Sequence, residues 1–431
     1  MQLSRGLTIG AAVLVLALLI AAGYILSQPR GPIVVDAEVG SQRISPNADG
    51  DSDLTTIRYR IRQDSRVSIY FEDASGERFT FRRDEPRSAG NYEVLFGGVV
   101  EGFVAEGESV EGEVVTRLLP DGVYTWVIEA TNLAASRTDR ATGTLTVENG
   151  DLVLPDIWEF SISPTVFTPN RDGIGDRVWI NVALPKPAHL IVYLIDAEGN
   201  RYFIPENQRD SQPETGGRHT FEYEGGVDQG ANPPEDGLYT VLVEAEDDEG
   251  QRVRQSGELT IAGGGVPFAE IAAQPVGDTV TFSDEVVVLG DVLYFELTVA
   301  NYGDAPIRTT GPEPGTVYEQ NARAATLGWY DESGAWRVGI DCDTCMSDYP
   351  WRWAVGTRDE LTAVEVDGQT QYYLMPGQRV VVHGGIRLTE IVEARNPQQF
   401  WAGLIHEDVG IAPLNNRVDP HWIEIVERGE N

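Results

Sequence analysis

One ten-residue phrase is written twice in this chain, and the repetition constrains the fold more than any other feature of the sequence. The first copy is ISPNADGDSD at residues 44–53, and the second is FTPNRDGIGD at residues 167–176. Three further segments follow each copy in the same order: VSIYFEDASGERF (67–79) corresponds to LIVYLIDAEGNRY (190–202), GGV (97–99) to GGV (225–227), and PDGVYTWVIEA (120–130) to EDGLYTVLVEA (235–245). Four matched segments in one order predict a duplicated domain.

The matched segments have the composition of β-strands. They are short, rich in β-branched and aromatic residues, and bounded by glycine turns such as Ser75-Gly76 and Glu198-Gly199. The spacing between the copies changes along the chain, so each copy contains an insertion, and the larger one lies in the first copy at about residues 100–119. Helical periodicity is almost absent after residue 30. The sequence therefore predicts an all-β fold that begins with two tandem β-sandwiches.

The order of these segments also carries a family resemblance. Ser/Thr-Pro-Asn-x-Asp-Gly-x-x-Asp, an aromatic strand, Gly-Gly and Asp-Gly-x-Tyr-Thr together resemble the immunoglobulin-like domain at the C-terminus of flagellar hook-capping proteins and of many secreted or gliding-related bacterial proteins. The resemblance covers residues 32–148 and 156–262. It implies an immunoglobulin-like fold for both copies and a bacterial source. It names no partner, because such domains serve as spacers, scaffolds and adhesive modules.

A third, different domain is predicted after the second copy. Three consecutive glycines, Gly263 to Gly265, end the second copy because they hold a strand poorly. VLYFELTVANYGDAPIRT at 292–309 resembles the strand and Asn-x-Gly turn of bacterial cell-adhesion-related (CARDB-like) immunoglobulin-like domains. The predicted organisation is an N-terminal segment 1–30, sandwiches 31–150 and 151–262, a linker 263–266, and a larger β-sandwich-type domain 267–431 with an insertion at 319–375.

The N-terminal segment predicts a membrane anchor. Residues 7–26 read LTIGAAVLVLALLIAAGYIL, with no charge between Arg5 and Arg30. Twenty helical residues span about 30 Å, the thickness of the hydrocarbon core of a bilayer. With Arg5 on the cytoplasmic side, we expect a single-pass protein of the cell membrane whose remaining chain is extracellular. A cleaved signal peptide, with Ala21 and Gly23 at its exit, is the alternative.

The charge of the chain limits its partners. The formal net charge is −36 and the pI about 4.3. Nucleic acid and anionic membrane faces are excluded as partners, because both need clustered basic residues. The acidity is typical of a soluble exported surface or of one that attracts divalent cations. Lys186 is the only lysine, and we interpret the excess of arginine as a compositional habit rather than as a site.

Two interpretations of the repeated phrase stay open at the level of sequence. Alternating oxygen side chains around a glycine are typical of calcium loops, and the core of the phrase also resembles the calcium loops of thrombospondin type 3 repeats. The candidate ligands are Asn47, Asp49, Asp51 and Asp53 in the first copy and Asn170, Asp172 and Asp176 in the second, where Ile174 replaces one acid. The favoured interpretation is a turn, in which the last Asp accepts backbone N–H groups before the strand begins.

The third domain contains both cysteines and a concentration of aromatic residues. Cys342 and Cys345 predict a local disulfide in an exported protein, with a metal or redox role as the alternative. Trp351 and Trp353 lie on the same face of a strand. If exposed, they would stack on sugar rings or anchor a protein partner, and if buried they belong to the core. The candidate binding surface consists of Trp351, Trp353, Trp329, Trp336 and Trp401.

No catalytic pattern stands out. None of the five histidines lies in a recognisable metal or nucleophile motif, and the HED triplet at 406–408 is interpreted as polar residues at a strand end. The sequence predicts a non-enzymatic adhesion or scaffold stalk that presents its C-terminal domain to a protein or glycan partner. The alternatives are an accessory subunit of a membrane-bound or extracellular assembly, homo-oligomers included, and a carbohydrate-binding accessory protein. Calcium is the sole cofactor considered.

Overall fold

The computed structural model describes residues 10, 13–20, 31–132, 137–206 and 216–429, and strands far outnumber helices in this part of the chain. The predicted all-β fold is therefore confirmed. Residues 13–20 are helical, with exposed side chains. Among the described residues there is no helix long and apolar enough to cross a bilayer. Most of the anchor predicted at residues 7–26 lies outside the described residues.

The first unit, residues 31–150, places two facing sheets around one core. One sheet has the strand order β1-β3-β6, and the other has the order β2-β10-β9-β4-β5. Phe71 and Phe96 stack in the core between them with ring centroids 4.4 Å apart. The strands are β1 (Val34–Val39), β2 (Arg43–Ile44), β3 (Thr55–Ile61), β4 (Ser65–Glu72), β5 (Arg78–Arg87), β6 (Gly90–Phe96), β7 (Val99–Glu101), β8 (Glu113–Leu118), β9 (Gly122–Asn132) and β10 (Arg137–Val147).

The second unit, residues 151–262, repeats this arrangement with its own core. Its sheets have the orders β11-β13-β16 and β15-β14-β17-β18, and β12 pairs in parallel with the end of β18 as β2 does with the end of β10. A 3₁₀ helix covers Val227–Gln229. The strands are β11 (Glu159–Ser163), β12 (Val166–Phe167), β13 (Val178–Leu184), β14 (His189–Ile195), β15 (Arg201–Ile204), β16 (Gly217–Tyr223), β17 (Gly237–Glu246) and β18 (Arg252–Ile261).

The two copies differ in one respect that the sequence located but did not explain. The insertion predicted at residues 100–119 of the first copy forms most of the hairpin β7–β8, and this hairpin joins the sheet of the second unit. Strand β8 pairs antiparallel with the N-terminal end of β18. The insertion is therefore a connection between the two units.

The third unit, residues 267–429, has one large core between two sheets. Their orders are β19-β22-β29-β24, with β20 beside β22, and β21-β31-β30-β25-β23-β28-β27, with β26 beside β25. Three 3₁₀ helices cover Ala324–Leu327, Glu393–Arg395 and Pro413–Asn415. The strands are β19 (Ala269–Ile271), β20 (Val280–Phe282), β21 (Val286–Val288), β22 (Val292–Asn301), β23 (Ile307–Thr309), β24 (Val317–Glu319), β25 (Trp336–Cys342), β26 (Trp351–Ala354), β27 (Thr362–Val366), β28 (Gln369–Leu374), β29 (Arg379–Arg387), β30 (Gln398–His406) and β31 (Val418–Val426).

Candidate functional site

The second copy of the repeated phrase is buried against the third unit. Asn170 and Asp172 are only 6% and 5% exposed. The hydroxyl of Tyr373 donates a hydrogen bond of 2.9 Å to Oδ2 of Asp172, and Nε of Arg308 donates one of 2.6 Å to its carbonyl oxygen. We call the contact formed by residues 170–173 with Arg308, Tyr373 and His406 the loop joint. It holds the second and third units together through groups that would be costly to leave unpaired.

His406, the last residue of β30, completes the loop joint. Its Nε2 lies 2.8 Å from the carbonyl oxygen of Arg171, to which an imidazole N–H donates. The ring stacks on Trp336, with centroids 4.3 Å apart. Burial lowers the pKa of His406 to about 4, so the imidazole is neutral at physiological pH. The histidine of the HED triplet does lie at a strand end, and the structure adds its contact with the second unit.

Two glycines let the backbones of the two units approach closely. A Cβ on Gly173 would lie 2.0 Å from the carbonyl oxygen of Ser333, and a Cβ on Gly334 would lie 2.1 Å from the carbonyl carbon of Asp172. Both distances are far inside van der Waals contact. Any side chain at Gly173 or Gly334 would therefore push the units apart.

Burial also changes the acidity of the loop. Desolvation raises the pKa of the Asp172 carboxyl above its ordinary range. Burial and the nearby charge of Asp172 raise the pKa of Asp176 to about 6. Burial and the same carboxylate also raise the pKa of the Tyr373 phenol, which keeps it protonated as a donor. The loop and its contacts with the third unit thus include two acids whose pKa values are raised and one histidine whose pKa is lowered.

Inside both copies of the phrase, side chains and backbone make the same turn. Oδ2 of Asp176 accepts the N–H of Gly173 at 2.6 Å, and Oδ2 of Asp53 accepts that of Gly50 at 2.7 Å. Gly173 and Gly50 have φ values of 84° and 86°, which favour glycine. The carboxylates that close the two loops are therefore engaged by backbone donors.

The predicted calcium ligands lie in two different surroundings. Asp49 and Asp51 are exposed at the tip of the first loop, with Asn47 and Asp53 half-buried beneath them, whereas the second loop is covered by the third unit. Within the described residues, Asp278, Asp419 and His421 form the single group of three His, Cys, Asp or Glu ligand atoms within 4.8 Å of one another, and it lies in neither loop. Calcium binding by the first loop stays the untested alternative to a turn.

The joint between the first and second units, which we call the strand joint, is made by the pairing of β8 with β18. Arg254 on β18 donates two hydrogen bonds, of 2.8 and 3.0 Å, to the carboxylate of Glu113 on β8. Nζ of Lys186 lies 2.7 Å from Asp151, 3.1 Å from Asp247 and 3.2 Å from Glu249. These four residues all belong to the second unit, and the turn between β17 and β18 that the lysine holds also accepts, at the carbonyl oxygen of Gly250, a hydrogen bond of 2.8 Å from the hydroxyl of Thr116 on β8. The only lysine of the chain is therefore a structural centre, which a count of residue types could not reveal.

Most of the predicted aromatic surface lies in the core of the third unit. Trp351 and Trp353 are 2% and 0% exposed, and Trp336 and Trp401 are buried as well. Trp353 packs edge-on against Phe295 and Tyr318 and donates its indole N–H to the carbonyl oxygen of Thr316. The expectation that these four indoles form an open binding surface is thereby corrected. Strand β26 pairs with β25, and Trp353 reaches Phe295 and Tyr318 of the opposite sheet, so the tryptophans of β26 belong to the core.

Trp329 is the one tryptophan of the five predicted for the binding surface that is not fully buried. It is half-buried and lines a pocket of about 160 Å³ with Leu361, Tyr372, Arg358 and Glu313. The guanidinium of Arg358 lies 5.5 Å from the ring of Tyr372. This volume is well below the usual size of a site for a small organic ligand.

The predicted disulfide is confirmed. Cys342 and Cys345 are bonded to each other, and Cys342 lies at the end of β25 with its side chain packed in the core. The bond closes the turn that leads from β25 towards β26. No protein-family model matches this chain, and no curated protein matches its sequence.

Proposed function

We propose that this protein is a non-enzymatic scaffold of the bacterial cell surface, anchored by its N-terminal segment and presenting its third unit at a distance from the membrane. The observation that carries the proposal is that both joints are fastened: β8 adds a strand to β18, and Asp172 is buried against Tyr373 and Arg308. Domains joined by a linker alone move independently by default. Paired and buried contacts at both joints keep the units in register, which is what a spacer requires.

The anchor in this proposal rests on the apolar run at residues 7–26. Its position before the first unit puts the membrane next to that unit, and the third unit follows after the second along the chain. The strong negative charge of the chain keeps such a scaffold soluble and repels anionic surfaces. Resistance of the protein to alkaline carbonate extraction from membranes tests the anchor, and release into the soluble fraction would contradict it.

The carbohydrate-binding alternative receives little support from the third unit. A stacking platform needs exposed aromatic faces, and Trp351 and Trp353 have none. A role as accessory subunit of an assembly is favoured by a separate observation, an open strand edge on the first unit, which is developed below.

Distances between spin labels on the first and third units test the scaffold. Labels on Ala74→Cys and Asp359→Cys, both at exposed positions, should give one narrow distance distribution by pulsed electron resonance of the full-length protein in detergent. Gly173→Ala should broaden it, because the new Cβ would clash with Ser333. Gly50→Ala is the matched control, since its φ is the same and nothing lies within 4 Å of its Cβ. A broad distribution in the unmodified protein would refute a fastened scaffold.

A further inference from the structure

Strand β10 of the first unit leaves one of its edges open. It pairs with β9 along its whole length, but on its other side β2 reaches only Thr146 and Val147. Within the described residues, no strand pairs with β10 on that side before Thr146, although the start of β1 reaches Asp139, whose Oδ2 accepts the N–H groups of Ile33 at 2.6 Å and of Val34 at 3.1 Å. An unpaired edge of this length is a template for another strand.

The backbone groups that face this open edge can be assigned. The N–H of Thr146 donates to the carbonyl oxygen of Gln42, so residue 146 points away from β9. Alternate residues of a strand point the same way, and the register between β9 and β10 has no bulge. Thr138, Arg140, Thr142 and Thr144 therefore direct their N–H and C=O groups towards the open edge.

The second unit shows what such an edge binds. Val147 pairs with Gly122 as Ile261 pairs with Gly237, so Thr138 and Arg140 are equivalent to Arg252 and Arg254. In the second unit those two positions pair with Thr116 and Glu113 of the incoming strand β8. The same edge is thus occupied in one copy and open in the other.

The chemistry of the partner strand follows from the occupied copy. Glu113 is held by two hydrogen bonds from Arg254, and the equivalent Arg140 lies exposed on the first unit, bonded at 2.5 Å to Glu129 of its own sheet. An incoming strand with an acidic residue opposite Arg140 would reproduce the contact seen in the second unit. Opposite charges across a strand pair favour this register.

By contrast, the other edge of the same sheet is protected against the addition of a strand. Strand β5 carries Pro86, and its register with β4 shifts at two places. Proline and bulges prevent edge pairing. On β10, three of the four residues that face the open edge are threonines, which favour strands.

We propose that the edge of β10 at residues 138–144 is an acceptor site for an extended acidic strand of a partner protein, added antiparallel as β8 is added to β18. This site extends the scaffold function proposed above, and its biological purpose rests on that proposal. It would attach a further protein to the first unit, close to the membrane-proximal end of the chain.

A labelled peptide with the sequence of residues 111–119 (EGEVVTRLL) serves as the probe, titrated into the full-length protein in detergent and followed by fluorescence anisotropy. We expect saturable binding. Thr138→Pro should weaken it by about tenfold or more, because it removes one N–H from the edge; the hydrogen bond between the hydroxyls of Thr138 and Thr131 on β9 is lost in this variant and in the control alike. Thr138→Val, which keeps the N–H, should bind as the unmodified protein does.

A charge exchange tests the register. Arg140→Glu should weaken binding of this peptide and restore it for a peptide with Glu113→Arg. Absence of binding, or binding unaffected by Thr138→Pro, would overturn the proposal. Concentration-dependent self-association that Thr138→Pro abolishes would also overturn it, because the occupant of the edge would then be a second copy of this chain. If the peptide does not bind but the spin-label distances are narrowly distributed, the acceptor site is refuted and the scaffold proposal stands.

Discussion

The phenol of Tyr373 and the carboxylate of Asp172, 201 residues apart in sequence, meet in a buried hydrogen bond of 2.9 Å that joins the third unit to the second. Asp172 occupies the same place in its copy of the repeated phrase as Asp49 does in the other, where the side chain is exposed. One local motif thus serves as a surface turn in the first copy and as an interface in the second.

Removal of this hydroxyl should loosen the loop joint. Tyr373→Phe leaves Oδ2 of buried Asp172 without its donor, at a cost of about 1–3 kcal/mol in the free energy of unfolding of the third unit. Chemical denaturation followed by tryptophan fluorescence measures this. Tyr372→Phe, at the half-buried neighbouring position, is the control and should stay within about 0.5 kcal/mol. Equal effects of the two changes would show that the hydrogen bond does not stabilise the joint.

The loop joint should respond to pH in two opposed ways between pH 4 and 6.5. The pKa of Asp176 is raised to about 6, so its contribution to stability is present at low pH and is lost as the pH rises through 6. The pKa of His406 is lowered to about 4, so its contribution is present above pH 6.5 and is lost as the pH falls through 4. In the unmodified protein the two slopes offset each other.

Single substitutions should separate these slopes. With His406→Gln, which keeps a donor for Arg171, the stability of the joint should fall as the pH rises from 4 to 6. With Asp176→Asn, which leaves the raised pKa of Asp172 as the opposing contribution, the slope should be more positive than in the unmodified protein. Denaturation midpoints at several pH values measure both, and a slope for Asp176→Asn that is no more positive than that for His406→Gln would contradict the assignment.

Lys186 should contribute more to the free energy of unfolding than an exposed ion pair does. Three carboxylates converge on its ammonium group, and Asp247 and Glu249 are largely buried. Lys186→Met leaves these carboxylates without a counter-charge, and we expect the free energy of unfolding to fall by about 3 kcal/mol. The control is Arg218→Gln, which removes an exposed pair with Glu159 and should cost less than about 1 kcal/mol. A loss below about 1 kcal/mol for Lys186→Met would show that the second unit does not depend on this lysine.

The first loop should behave as a turn rather than as a calcium site. Its carboxylates accept backbone N–H groups at Asn47, Gly50 and Asp51, so thermal melts in calcium and in chelator should coincide. A shift of several degrees that Asp49→Ala removes would instead establish calcium binding.

Much of this architecture could be predicted from local sequence. Alternating apolar residues and glycine turns specify strands, and the paired Asp and Gly residues of the repeated phrase specify its turn, because each interaction involves residues a few positions apart. The close spacing of Cys342 and Cys345 similarly predicted their bond. Matching strand orders in the two copies agree with the duplication read from the repeated segments.

Other features were decided only by the tertiary structure. Trp351 and Trp353 would look the same in sequence on an open face, but the core of the third unit covers the inner face of β26 and buries them. Asp49 and Asp172 belong to one motif, yet only Asp172 meets Tyr373 and Arg308. Whether an edge like that of β10 or β18 is filled depends on a hairpin from another unit. The physical reason is common to all three: hydrogen bonds within a turn are set by neighbouring residues, whereas burial is set by groups more than a hundred residues away or in another sheet.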